Sequence, residues 1–314
     1  MIKTKSAFSA VAIGIACAFS TQTSTASPTD DVAEMYNRIS GLSYLKDPRA
    51  QCVSIRHPES SGTPDIQNKA KNIFAIMQKT PMSAELLHGF SEVNGALCFV
   101  DPKNESGTAD LTYAMNFTEY DTIIINDSPK ADMGCVIAAS VHEMQHTAQK
   151  YAGFASPIRE LDIPSQENLV LTIEADAHTV QIIGSEMLSR AGYKDAKACN
   201  ENKFAQNMPH VKDALDTLEN TLKSDPNALT NGNAATKVYN QLVHHNGLIE
   251  RYGLAVRFYY DCFSYPAECF RGNKTLGQLG LDLSDLSKIH YDSGYTVTPF
   301  SNTADNKLAL SPVR

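Results

Sequence analysis

Beyond residue 26 the chain has no apolar run near the roughly 20 residues that a membrane-spanning helix needs, so no integral membrane segment is expected after processing. It also lacks clustered lysine and arginine. Nucleic-acid backbones are held mainly through such clusters, and 27 basic against 35 acidic residues give a net charge of −8, so nucleic acid is not an expected partner. None of the seven cysteines has the close spacing of a structural zinc cluster. There is no internal repeat.

The first 26 residues follow the order of a secretory signal peptide: a basic start, "MIKTK", an apolar run, "AFSAVAIGIACAFS", and small residues, "STA", before Ser27. Export to the periplasm or the medium is therefore expected, with the mature chain starting near Ser27. Cys17 raises a lipoprotein alternative, but Gly14 stands where such signals carry a branched apolar residue. Cleavage removes Lys3 and Lys5 and no acid, leaving 25 basic groups against 35 acidic ones. Six cysteines remain (Cys52, Cys98, Cys135, Cys199, Cys262, Cys269), and an even number in an exported chain suggests three disulfides. Cys262 and Cys269 enclose a short loop with Pro266 and form the expected pair. The alternative for the others is a buried thiol.

The apolar periodicity predicts an α+β chain in which helices dominate. Residues 30 to 46 and "DIQNKAKNIFAIMQKT" from Asp65 look amphipathic and helical. "GALCFVD" (95 to 101), "ADLTYAMNF" (109 to 117) and "DTIIIND" (121 to 127) look like strands of a small antiparallel sheet. A helix is expected near 129 to 150, with Ser128 as N-cap and Pro129 at its first position. A loop containing Pro157 and Pro164 leads to a second long helix, "ENLVLTIEADAHTVQIIGSEMLSRAGY", ending by Gly192. Helices follow at about 203 to 223 and 234 to 260, then some fifty residues of loops and turns. The organisation expected is a signal peptide (1–26), a catalytic core (27–192) and a helical C-terminal region (193–314) packed on the same domain.

The chemistry concentrates in "ASVHEMQHTAQ", residues 139 to 149. Residues four apart project from one helix face a turn apart, which lets His142 and His146 grip one ion. A catalytic zinc takes three protein ligands and keeps one open position, and Glu143, beside the first histidine, is placed to take a proton from the attacking water. Together these residues fill the HExxH pattern. Glu174, 28 residues after His146 on the second helix, is available as third ligand. The bland alternative is a set of solvated helix residues.

With "HEMQH" followed by "IEADAH", the chain resembles the gluzincin zinc metallopeptidases, and most of all the uncharacterised bacterial metallopeptidases that carry EADA on the second helix. The resemblance runs from the strand at 121 to the end of the second helix. It implies a zincin-like fold, one zinc ion per chain held by His142, His146 and Glu174, and Glu143 as general base. One position departs from the pattern. Better-known gluzincins place an aspartate four residues after the ligand glutamate, where this chain has His178. Asp176, two residues on, lies about 200° around the helix from Glu174 and cannot share its face. Either Asp176 has another task or it replaces Glu174 as ligand, and His178 is a candidate partner for the ligand set.

Cys135 shares a helix face with His142 but lies about 10 Å away along the axis, too far for one zinc, so a disulfide or a core thiol is expected there. His244, His245 and Tyr252 are candidate donors to a developing oxyanion, although an aromatic stripe at helical spacing is more often core. The function expected is an exported zinc metallopeptidase acting on peptides or proteins, and by analogy "DTIIIND" edges the substrate cleft. The rivals are a degenerate metal-binding or protein-binding module and a zinc amidase acting on cell-wall amides. Oligomeric state stays open.

Overall fold

Proline after a capping side chain starts each of the first four helices: α1 (Pro28–Ile39) after Ser27, α2 (Pro48–Gln51) after Asp47, α3 (Pro64–Met77) after Thr63 and α4 (Pro81–Glu92) after Thr80. Each cap accepts a backbone N–H of the first turn, and proline has no N–H there to leave unbonded. The computed structural model describes residues 27–42, 45–102, 113–154, 160–253 and 272–289. The signal-peptide segment, Pro157 and the Cys262–Cys269 pair lie outside them. No helix among the described residues is long and apolar enough to cross a membrane. Neither α4 nor the first strand, β1 (Cys52–Ser54), stands out in the sequence pattern.

The other strands are β2 (Ala96–Val100), β3 (Ala114–Phe117) and β4 (Thr122–Asn126), in the order β1-β2-β4-β3. The sheet is mixed rather than antiparallel: β2 and β4 run parallel, and β1 and β3 flank them antiparallel. The reason lies in the side chains. "ALCFV" and "TIII" are buried on both faces, as inner parallel strands are, whereas β3 is only half-buried and takes the edge. Leu97, Phe99, Ile123 and Ile125 face one apolar cluster, while Cys98, Val100 and Ile124 face a second one under α1. Because β4 has a neighbour on each side, "DTIIIND" is not a free edge. The exposed edge is β3.

Helix α5 (Met133–Tyr151) starts later than Pro129 suggests, because the Asp132 carboxylate, not Ser128, accepts from the N–H groups of Gly134 and Cys135. Its partner α6 (Ile163–Arg190), capped by Asp162, runs 28 residues and stops before Gly192, whose φ of 94° ends the helix. Next come α7 (Asp195–Cys199), a π-helical turn (Asn200–Phe204), α8 (Ala205–Asn207), α9 (Pro209–Ser224) and α10 (Asn233–Val243). Extended Met208 before Pro209 breaks the helix expected from 203. A second π-helical turn covers Ile249–Gly253. One apolar cluster joins Val53 and Phe99 of the sheet to Leu218 of α9 and Val238 of α10.

Two disulfides brace this frame. Cys52–Cys98 links register partners on β1 and β2, and Cys135–Cys199 ties the start of α5 to the end of α7. At Gly134 a Cβ would stand 2.4 Å from the Asp195 carbonyl oxygen, so only glycine lets these helices approach so closely.

Candidate metal centre

Helices α5 and α6 pack along each other and bring His142, His146 and Glu174 into one cluster, with one donor atom from each within 4.8 Å of the others. The Nε2 atoms of His142 and His146 are 3.1 Å apart. Glu174 Oε2 lies 3.5 Å from His142 Nε2, and Oε1 lies 3.7 Å from His146 Nε2. Tetrahedral ligands about 2.05 Å from a zinc ion stand about 3.3 Å from one another, so the donor separations fit such an ion. Buried Glu174 Oε2 has no hydrogen-bond partner, which leaves it available.

A second set of contacts sets the chemistry of His146. Gln149 uses its amide N–H groups on the Ile173 carbonyl (2.8 Å) and Asp176 Oδ2 (2.6 Å), so its oxygen is left to accept from His146 Nδ1 at 2.8 Å. The imidazole proton is therefore on Nδ1, and the Nε2 lone pair faces the cluster. Asp176, fully buried, also accepts from Gln145 Nε2 at 2.8 Å. It orients His146 through Gln149 and points away from the cluster that Glu174 joins.

Burial alone raises the Glu174 pKa, but the imidazoles of His146 and His142 outweigh it and hold the carboxyl below its ordinary value. Burial also raises the Glu143 pKa, here with success, because the same imidazoles oppose it less effectively. One oxygen of Glu143 accepts the Asn116 backbone N–H at 3.1 Å, and Asn116 Nδ2 donates to the Glu143 carbonyl and to Thr147 Oγ1. The edge strand β3 is thereby pinned to α5.

His178 packs its ring 4.5 Å from that of His142, and burial pushes its pKa well below the usual value, so it is neutral. Its Nε2 is 3.3 Å from the Tyr252 hydroxyl, which also bonds to Glu174. Of the three candidate oxyanion donors, Tyr252 alone reaches the cluster: His244 is exposed, and His245 turns to Asp213 Oδ2 at 3.0 Å. Sequence patterns missed Asn116, Gln145, Gln149 and His210. Gln149 had a signal, since it follows His146 by three residues on the same helix face. His210, brought from α9 to within 5.2 Å of the His178 ring, had none.

The cluster opens into a cavity of about 380 Å³ lined by His142, Glu143, Ala114, His178, Tyr252 and residues of the two π-helical turns. Another cavity, of about 560 Å³, lies between α6, α7 and α9 away from the histidines, and no residue of the metal-ligand cluster lines it.

The family profile described as "Putative metallopeptidase family (DUF6782)" matches residues 48–262. The chain belongs to that family. Membership implies a metal ion and a peptide or protein substrate, and the matched stretch contains α5, α6 and every residue of the cluster. No curated protein and no solved structure matches the chain.

Proposed function

We propose that the chain is an exported zinc-dependent peptidase in which His142, His146 and Glu174 hold one zinc ion and Glu143 is the general base. The observation that carries this reading is the donor cluster: two imidazole nitrogens and a carboxylate at ligand separations, beside a half-buried carboxylate with one oxygen free to take a proton. When bound, zinc supplies Lewis acidity, polarising the scissile carbonyl and making water a stronger acid.

The protein groups do the rest. Glu143 has one oxygen on the Asn116 N–H, so the other can accept the proton of the attacking water and return it to the leaving amine. Its raised pKa brings it closer to neutral pH, where a base is most effective. Burial raises the Tyr252 pKa well above its ordinary value, keeping the phenol protonated and able to donate to the developing oxyanion. Along β3, Tyr113 gives its carbonyl to Asn126 on β4, so in the alternating ladder the N–H and carbonyl of Ala114 and the carbonyl of Asn116 face the free edge, while the Asn116 N–H is given to Glu143. An extended substrate is expected to pair there, beside Glu143. Two disulfides and the signal-like first 26 residues support export.

The test is Glu143→Gln, which retains size and hydrogen bonding but cannot take the proton. We expect the variant to bind one zinc per chain like the parent and to hydrolyse a peptide library roughly 100-fold to 10,000-fold more slowly. Loss of zinc would make Glu143 a ligand or a structural residue. Unchanged turnover with zinc retained would refute the mechanism.

A further inference from the structure

We infer that the cavity beside the cluster is a carboxylate-recognition subsite, formed by Lys203 and Arg251, that selects peptides presenting a negative group next to the cleaved bond. The inference rests on the peptidase reading and names its substrate class. Although acids outnumber bases in the chain, Glu143 is the sole acid among the described residues that line this cavity, and both Lys203 and Arg251 reach its wall. Among the described residues neither cation has an ion-pair partner. Their neighbours do: Lys197 pairs with Glu186, Lys212 with Asp216 and Lys223 with Glu219. Two cations without counter-charges among the described residues, in a cavity whose one acid among those residues is the general base, are matched by an anionic group from outside.

The backbone gives a second, independent argument. The two π-helical turns among the described residues, Asn200–Phe204 and Ile249–Gly253, each contribute one of the two cations. Such turns are rare and cluster at functional sites, because the wide turn shifts the facing of the side chains after it. The Cys135–Cys199 disulfide anchors the first turn to the start of α5, the helix that carries Glu143. Arg251 is steadied by the Tyr252 ring, 5.7 Å from its guanidinium carbon. A planar guanidinium and a flexible ammonium then face the site from different segments, a pairing suited to a carboxylate. The carboxylate has two possible sources, the C-terminus of the substrate or an Asp or Glu side chain.

Binding tests the inference without turnover. The full chain carrying Glu143→Gln and loaded with zinc is titrated by calorimetry with three N-acetylated tetrapeptides: one apolar with a free C-terminus, its C-terminal amide, and an amide with one internal Glu. We expect the free acid, the Glu peptide or both to bind about tenfold more tightly than the apolar amide, as partly exposed charge pairs allow. Which of them does so identifies the source. Adding Lys203→Met and Arg251→Met should bring the preference to within about twofold, and Lys203→Arg should keep it. Equal affinity for all three peptides, no binding of any, or a preference that survives the double substitution would each overturn the inference. Hydrolysis by the zinc-loaded parent is measured in parallel. An inert parent refutes the peptidase reading, whereas an active parent with no carboxylate preference refutes the subsite alone.

Discussion

Two acids with little exposure, Asp31 and Glu174, are treated in opposite ways. Asp31, on α1, accepts from Arg56 Nη1 at 3.3 Å and His57 Nε2 at 3.0 Å, and its own carbonyl accepts from Asn94 Nδ2 at 2.8 Å. Arg56 also reaches the carbonyls of Ser91 and Glu92. This cluster is saturated. Around Glu174, by contrast, Glu174 Oε2, His142 Nδ1, His178 Nδ1 and both nitrogens of His210 are buried without a hydrogen bond. An unbonded buried polar atom costs about 1–3 kcal/mol, so a fold keeps several together only where something else satisfies them or uses them. The saturated cluster holds α1 against the sheet. The unsaturated one is poised for a ligand.

The largest expected effect breaks the open cluster. Structural zinc sites bind with about 10–16 kcal/mol, so removing one of three protein ligands should lower affinity by at least about a thousandfold. We expect Glu174→Ala to do this, measured by competition with a chromophoric chelator. Asp176→Asn should lower affinity by about 10-fold to 100-fold, since it acts through Gln149 on the orientation of His146. Asp176 losing more zinc than Glu174 would reverse the assignment.

The saturated cluster should show the opposite behaviour. Asp31→Ala leaves Arg56 and His57 without their carboxylate. Both partners are partly exposed and the charge loss is screened, so the expected cost is about 2 kcal/mol of folding stability. Zinc affinity should stay at the parent value. Burial raises the Asp31 pKa, but the hydrogen bonds from His57 and Arg56 more than offset it and hold it below 3.8. Its stabilisation is therefore present above the ordinary carboxylate value and lost as the pH falls further. Denaturant unfolding with a metal titration checks both halves, and a variant weakened in zinc binding alone would end the contrast.

How much of this was legible in the sequence differs between the same two clusters. His142, Glu143, His146 and Glu174 lie at short helical spacings on two long helices, and local periodicity carries that information directly. The pairing of Arg56 and His57 with Asp31 joins residues 25 and 26 positions apart across a strand, with no local pattern behind it. The sheet follows the same logic. The three longer runs were visible as strands, but the parallel pairing of β2 with β4 depends on which strands are buried on both faces. The disulfides Cys52–Cys98 and Cys135–Cys199 span 46 and 64 residues, and close spacing, the one cue in the sequence, drew attention to Cys262 and Cys269 instead. Tyr252 and His210 reach the site only because α9 and the second π-helical turn fold back over α6.

The smallest expected effect concerns pH, and it falls on His210. Its ring is 1% exposed, neither nitrogen has a partner, and burial, helped by the neighbouring His245, lowers its pKa from 6.5 to about 4. The unfolded chain takes up a proton as the pH drops below 6.5, while the folded chain resists it until about 4, so the unfolded state binds more protons throughout that window. Stability must therefore fall with falling pH between those values. For a shift of this size the loss is below about 1 kcal/mol at pH 6 and nears 2 kcal/mol at pH 5. His178 shifts in the same direction, so the contribution of His210 has to be isolated by substitution. Comparing parent and His210→Phe in metal-free form by denaturant unfolding at pH 7, 6 and 5 does this, since phenylalanine fills the site and has no proton to bind. The variant should lose less stability than the parent on acidification, by about 1–2 kcal/mol at pH 5. Parallel stability curves for the two proteins would mean that His210 titrates normally, and that the open cluster reaches no further than His178.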